Sequence, residues 1–224
     1  MTEAMLEHYV QHGGTVMAIA GPDFALIASD TRSSSNGTIV SNNQLKIFRL
    51  PNQTAVGISG NMADSLEVVS RLQAEINRSA EAKGQPLSLP GTAEMLSLLL
   101  YERRIFPYYV QVLLVGIDGT GKGGVYSYDP VGHCEKVAYR LHGTSAKFML
   151  ASMSYLLSPY ESELDYTDVI TMALEELTPV VKDLYTSCSE VDPATGGGCE
   201  IWILRPNKEG GVEYETVQHQ LRQD

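Results

Sequence analysis

The sequence predicts an α+β fold: a four-layer αββα sandwich, with two stacked antiparallel sheets lying between two helix pairs. The first observation behind this is the order of the patterns. Short apolar runs suited to strands come first, then two segments of helical period, more strands, two more helical segments and two closing strands. The second is that the opening runs, Thr15-Val16-Met17-Ala18-Ile19-Ala20 and Phe24-Ala25-Leu26-Ile27-Ala28-Ser29-Asp30, are apolar without alternation. Strands buried on both faces need partners above and below, and sheets stacked between helix layers supply them. The third is the tight break between those runs, Gly21-Pro22-Asp23, which joins them as a hairpin.

Taken in order, residues 1–12 read as a polar tail, within an N-terminal extension of 1–14, and 15–224 as a single domain. Strands are expected at 15–21 and 24–30. Ser33-Ser34-Ser35-Asn36-Gly37 reads as a polar loop. Thr38-Ile39-Val40, Leu45-Lys46-Ile47-Phe48 and Thr54-Ala55-Val56-Gly57-Ile58 read as further strands. Met62, Leu66, Val69 and Ile76 recur at helical spacing, so 61–82 is predicted as an amphipathic helix, stopped by Lys83-Gly84-Gln85-Pro86. Thr92 is placed as the cap of a second helix over 93–104. A long central strand, 109–117, turns through Asp118-Gly119-Thr120-Gly121-Lys122 into a partner over 123–128, and 137–141 reads as a third strand. Helices are expected at 144–157 and 166–188, with Pro179 inside the second removing one backbone bond. Ile201-Trp202-Ile203-Leu204 and 212–217 close the domain.

Composition narrows the function. A chain of 224 residues with a 43% apolar share can bury a core without disulfide help. A net charge of −11 argues against nucleic acid or an anionic membrane as partner. Cys134, Cys188 and Cys199 are odd in number, far apart and without a CxxC pair, which suits free thiols in a reducing compartment. The N-terminal stretch lacks a basic leader and no run is long enough to span a membrane, so a soluble intracellular protein is expected. His8, His12, His133, His142 and His219 show no ligand spacing and read as surface or loop residues; neither a metal nor a cofactor is expected. Gly116 to Gly123 nearly matches a phosphate-binding loop. However, Gly123 stands where Ser or Thr should hold magnesium, and a strand follows instead of a helix, so it reads as a hairpin turn.

Three stretches carry possible chemistry. Gly13-Gly14-Thr15, an Asp closing the next strand (Asp30) and a Lys soon after (Lys46) are the parts of a threonine-nucleophile site. Gly143-Thr144-Ser145 opens a helix and by itself reads as a hydroxyl N-cap with its glycine hinge. Asp192-Pro193-Ala194-Thr195-Gly196-Gly197-Gly198 is a helix stop whose Asp192 and Thr195 could point back at a site.

Together these pieces resemble a proteasome β subunit, of the N-terminal-nucleophile hydrolase superfamily, over nearly the whole chain from Gly13 onward. The most specific stretches are Gly13-Gly14-Thr15, Ala28-Ser29-Asp30-Thr31-Arg32, the run 103–110 (Arg103-Arg104-Ile105-Phe106-Pro107-Tyr108-Tyr109-Val110) and the run 121–132 from Gly121 through Tyr128-Asp129-Pro130-Val131-Gly132. The last two resemble the beta-6 type in particular.

Active members use a free N-terminal threonine whose hydroxyl attacks a peptide carbonyl while its own amine acts as base. The resemblance implies that Asp30 and Lys46 take the family's charge-tuning positions. Gly60 takes the oxyanion position. Ser145 (or Thr144), Asp192 and Thr195 fall where a supporting hydroxyl–carboxylate network sits.

The chain departs from the family at the nucleophile. Alignment through Ala18 and Asp30 puts Gly14 there, with Thr15 one residue late and therefore on the opposite side of the strand. The expectation is a non-catalytic structural subunit with a vestigial site. The alternatives are an active threonine hydrolase matured by cleavage between Gly14 and Thr15, and a free-standing amidohydrolase outside any ring. The resemblance also implies partners: other β subunits in a seven-membered ring, an opposing β ring, an α ring, and polypeptide substrates in the chamber, in cytoplasm and nucleus. Asp118 is the expected contribution to a neighbouring subunit's substrate pocket.

Overall fold

The structure, a computed structural model, describes residues 12–35, 37–160, 169–207 and 210–223. Two five-stranded antiparallel sheets stack face to face. The first runs β10-β1-β2-β11-β12, built from β1 (Thr15–Ala20), β2 (Ala25–Asp30), β10 (Tyr139–Gly143), β11 (Gly198–Pro206) and β12 (Val212–Gln220). The second runs β5-β6-β7-β8-β9, built from β5 (Ile47–Arg49), β6 (Ala55–Gly60), β7 (Val110–Ile117), β8 (Gly123–Tyr128) and β9 (Cys134–Val137). Helices α1 (Met62–Lys83) and α2 (Leu89–Tyr101) cover the second sheet; α3 (Ala146–Leu157) and α4 (Leu174–Val191) cover the first. This is the αββα sandwich the sequence predicts.

The layering follows from strand periodicity. In β1, Val16, Ala18 and Ala20 join Ile27, Leu113 and Val125 in the core between the sheets. The alternate residues, Met17 and Ile19, join Met149, Met153, Leu177 and Val181 under α3 and α4. A strand whose two faces enter two different cores cannot alternate apolar with polar, which is why the opening runs are apolar throughout.

Several elements differ from their sequence assignments. The expected strand 137–141 is two strands, because the chain leaves the second sheet after β9 and enters the first at β10. The stretch read as a polar loop contains β3 (Ser33–Ser35), which pairs with β4 (Thr38–Ser41) in a small separate ribbon. Lys46 precedes its strand instead of lying in it. Helix α2 begins earlier than expected: Ser88 caps it through the Gly91 N–H, Pro90 occupies its first turn, and the Thr92 hydroxyl donates back to the Ser88 carbonyl instead of capping. Residues 169–173 are not helical, and α4 starts only at Leu174. There the Ile170 N–H donates to the Ala20 carbonyl, which the helical register could not allow. The expected starts of that helix at 166–168 and of the tail at 1–11, with His8, lie outside the described residues.

Residues 12–14 run directly into β1. The His12 N–H donates to the Gly60 carbonyl, the Ser34 N–H donates to the His12 carbonyl, and His12 Nδ1 accepts the first free N–H of α1, from Met62. His142, expected at the surface, lies half-buried in β10 with Nε2 2.9 Å from Ser127 Oγ.

Candidate functional site

Strand order brings the predicted residues together. Because β1, β2 and β11 lie side by side, Gly14 at the start of β1, Asp30 at the end of β2 and Gly196 just before β11 share one sheet end. Lys46 arrives from the loop that crosses to the second sheet, and β6 brings Gly60 to the same end.

The Lys46–Asp30 pair is fully buried, with Lys46 Nζ 2.7 Å from Asp30 Oδ1. The other ammonium protons go to the Asp30 carbonyl at 3.1 Å and the Arg32 carbonyl at 2.6 Å. Oδ1 also accepts the Thr15 N–H at 2.8 Å, while Oδ2 accepts the Arg32 and Gly196 N–H groups, each at 3.1 Å. The pair has the geometry a buried ion pair needs: charge matched, and every donor and acceptor occupied.

Gly14 has φ +83°, and a Cβ built on it would lie 2.6 Å from Lys46 Cε and 2.7 Å from Asp30 Oδ1. The side-chain direction at position 14 therefore points into the charged pair, where glycine supplies only a hydrogen. Thr15 points elsewhere. Its hydroxyl accepts the Ser145 N–H at 3.0 Å and lies 3.1 Å from Thr195 Oγ1, and the residue is wholly buried. Its nitrogen is a peptide amide bonded to Gly14, whose carbonyl accepts the Thr144 N–H.

Behind Thr15 the hydroxyls of Thr144, Ser145 and Thr195 all donate to Asp192 Oδ2, at 2.6, 2.7 and 2.8 Å. The Ala194 N–H donates to Oδ1. Burial pushes the Asp192 carboxyl up, but the bonds from Thr144, Ser145, Ala194 and Thr195 outweigh it, and its pKa falls below the usual carboxylate value. Ser145 occupies the N-cap position of α3, but its hydroxyl makes no cap bond. Both Thr144 and Ser145 belong to the network, so the choice the sequence left open between them does not arise. With the Thr195 proton committed to Asp192, the Thr15 hydroxyl donates to Thr195, a neutral oxygen that is no general base.

A cleft of about 260 Å³ opens over this end of the sandwich, with Gly13, Gly14, Ser59, Gly60, Gly143 and Thr144 in its lining. Its close approaches explain its glycines. A Cβ on Gly143 (φ +113°) would collide with the Gly14 carbonyl oxygen and lie 2.8 Å from Thr15 Cα; one on Gly60 (φ +117°) would strike the Tyr109 carbonyl. Ser59, in the same lining, has no hydrogen-bond partner for its Oγ among the described residues.

Two contributors were not singled out from the sequence. Arg32 is buried completely, and its guanidinium donates to Asn42 Oδ1 and to the carbonyls of Pro193 and Arg222, pinning the Asp192 turn and the C-terminal segment. Tyr185, on the inner face of α4, donates to the carbonyls of Thr15 and Ala28. Its place in the helical apolar stripe was the available signal, but nothing in that stripe marks its hydroxyl. Asp118 lies at the far end of β7 from the cleft, where its carboxylate accepts the N–H groups of Thr120 and Lys122 and the Thr120 hydroxyl. Burial raises its pKa less than those bonds and the Lys136 charge lower it.

The family profile described as "Proteasome subunit" matches residues 10–203, which covers every element named above except the end of β11 and β12. The chain belongs to the proteasome subunit family. Among similar proteasome subunits, the Drosophila melanogaster protein named proteasome subunit beta type-1 is 39% identical over 216 residues, covering 96% of this chain and 90% of the relative. A protein of the same name from Oryza sativa subsp. japonica is 37% identical, with 96% of each chain covered. The Schizosaccharomyces pombe protein named probable proteasome subunit beta type-6 is 33% identical, covering 94% of this chain and 95% of the relative. Membership makes the two-sheet sandwich an N-terminal-nucleophile hydrolase fold and places the chain with other proteasome subunits in a threonine-protease complex.

Proposed function

We propose that this chain is a non-catalytic β subunit of the beta-6 type in the proteasome core particle, where it walls the proteolytic chamber and holds its neighbours in register. The observation that carries this reading is the glycine at position 14, whose side-chain direction meets Lys46 and Asp30. A hydroxyl there would sit on the ammonium; a hydrogen cannot attack a carbonyl. Thr15 does not substitute for it. Its hydroxyl is spent inside the Ser145–Thr195–Asp192 network, and its nitrogen is acylated by Gly14. Asp30, Lys46, Gly60, Ser145, Asp192 and Thr195 are then structural remnants of a hydrolase site.

In this reading the partners are the other β subunits of a seven-membered ring, the opposing β ring and the α ring. Polypeptide substrates pass through the chamber, and the particle works in cytoplasm and nucleus. Asp118 would face a neighbour's substrate pocket.

The test is the mature N-terminus in the assembled particle. Intact mass and N-terminal sequencing are expected to find the Gly14–Thr15 bond uncut, and an epoxyketone probe is expected to leave the chain unlabelled. A chain that begins at Thr15 and carries the adduct there overturns the reading in favour of an active, cleaved subunit.

A further inference from the structure

Away from the cleft, a second cavity of about 360 Å³ lies where the start of β11 and the end of β12 meet the loop 42–45. Its lining includes Asn42, Asn43, Glu200, Gln218, Gln220 and Gln223. The register explains why these side chains converge. Cys199, Ile201 and Ile203 of β11 enter the core beneath α3 and α4, so Glu200 faces the other way, on the side of the sheet that looks toward the loop leading into β5. Gln218 pairs directly with Glu200, and Gln220 with Gly198, so both glutamines share that face.

Glu200 is only 9% exposed, and its Oε2 has no hydrogen-bond partner among the described residues. Its cross-strand neighbour on the other side, Ser29, is fully buried, and its hydroxyl has no partner among the described residues. A buried carboxylate without a counter-charge is one of the costlier arrangements in a protein. Lys46 is committed to Asp30 and the Arg32 carbonyl, and the Arg32 guanidinium to Asn42 and the carbonyls of Pro193 and Arg222; His219, also in the lining, has its Nε2 3.0 Å from the Thr186 hydroxyl. Of the residues outside the described ones, 1–11 and 161–168 contain neither Lys nor Arg, and Lys208 follows the Pro206–Val212 end of the β11–β12 pair, the opposite end from the Glu200–Gln218 pair.

We propose that this cavity is a receptor for one basic side chain, Lys or Arg, of a neighbouring polypeptide, with Glu200 as its counter-charge. The lining favours a multi-donor nitrogen over a metal ion. Beside the one carboxylate it offers neutral amides, while Cys199 packs into the core on the opposite face and His219 lies against the Thr186 hydroxyl; no three metal-ligating side chains converge among the described residues, and calcium or magnesium gathers several hard oxygens. The exposed Gln218 and Gln220 at the strand edge leave the mouth open for a side chain to enter from outside. A net charge of −11 favours a basic partner surface. The proposal rests on this chain's assembly with other subunits and not on its lack of catalysis, so an active, cleaved Thr15 would leave it standing.

The test pairs the full chain with Glu200→Gln, which keeps shape and removes charge. Urea unfolding of the isolated variant is expected to match wild type or move to higher midpoint, because an unpaired buried charge is gone. Assembly of the same variant with its neighbours is expected to weaken about tenfold or more, the loss of a charge-assisted contact. In the structure of the assembled particle, a Lys or Arg nitrogen of an adjacent subunit is expected about 3 Å from a Glu200 carboxylate oxygen. A variant that is destabilised in isolation yet assembles normally overturns the proposal, since Glu200 then serves only its own fold. So does a particle in which only ordered water, or an atom of this same chain, meets the carboxylate.

Discussion

Replacing Gly14 by alanine tests the central geometry directly. At φ +83° any L-residue bears a strain of roughly 1–2 kcal/mol. The added methyl would also lie 2.6 Å from Lys46 Cε and 2.7 Å from Asp30 Oδ1, so the ammonium must leave its seat. That seat consists of oxygens at 2.6, 2.7 and 3.1 Å in a site closed to water. Separating a buried pair so that one charge loses its partner costs roughly 3–5 kcal/mol. Gly84→Ala is the control: Gly84 has φ +69°, but nothing lies within 4 Å of its would-be Cβ, so it reports strain alone. The assay is urea unfolding followed by the fluorescence of Trp202, the sole tryptophan. Gly14→Ala is expected to lose about 3 kcal/mol or more beyond Gly84→Ala. Equal losses in the two variants would show that position 14 does not face Lys46, and the argument that glycine occupies the nucleophile's place would fail.

Three further outcomes follow from the same structure. The folded pKa of Asp192 is depressed, so the stability it contributes is present above the ordinary carboxylate value of 3.8 and is lost as pH falls through the lower folded value; urea midpoints across the acid range are expected to show this limb in wild type and a flatter one in Asp192→Asn, which should also lose roughly 1–3 kcal/mol at neutral pH. Burial, with a smaller contribution from the Arg140 charge, lowers the His142 pKa to about 4, so its contribution is complete above pH 6.5 and drains away as pH falls from 6.5 toward 4; His142→Gln is expected to remove that slope from the same titration. In the assembled particle Asp118→Asn is expected to shift a neighbouring subunit's preference away from basic or polar substrate side chains, measured with a fluorogenic peptide panel, while native mass stays unchanged.

The layers of the fold were legible in the sequence because two-sided burial leaves a mark: a run such as Val16 to Ala20 has no polar face to hide. What was not legible was where the chain changes layers. Cys134 to Gly143 is one polar-apolar stretch in sequence, yet Ala138 separates strands of different sheets, and no local pattern records which sheet a strand joins. The same limit governed the caps. Ser88 and Thr92 are both competent helix starters, and the choice was made by Pro90, which fits only the first turn. At the site, strand register separated Gly14 from Thr15, because one residue decides which side of a strand each faces, while the positions of Asp30, Lys46, Asp192 and Thr195 came from the resemblance to the family. The role of Arg32 stayed hidden: its three acceptors come from Asn42, Pro193 and Arg222, separated from it by up to 190 positions, and only the folded chain brings them together.

In the proposed non-catalytic reading, Asp30 and Lys46 keep a structural role that needs no catalysis. Asp30 holds the Thr15, Arg32 and Gly196 N–H groups as well as Lys46, and so ties the start of β1 and the turn before β11 to the end of β2. Lys46 in turn occupies two backbone carbonyls that would otherwise be buried without donors. Removing either residue alone strands the other's charge in the core, so loss of the pair would have to pass through a variant destabilised by roughly 3–5 kcal/mol, a large fraction of what a domain has to lose. In that reading, the nucleophile's position stands outside this lattice of bonds. A hydroxyl at position 14 supports no backbone group, so exchanging it for hydrogen costs the fold little. The geometry that makes Gly14→Ala costly would oppose any larger side chain at that position.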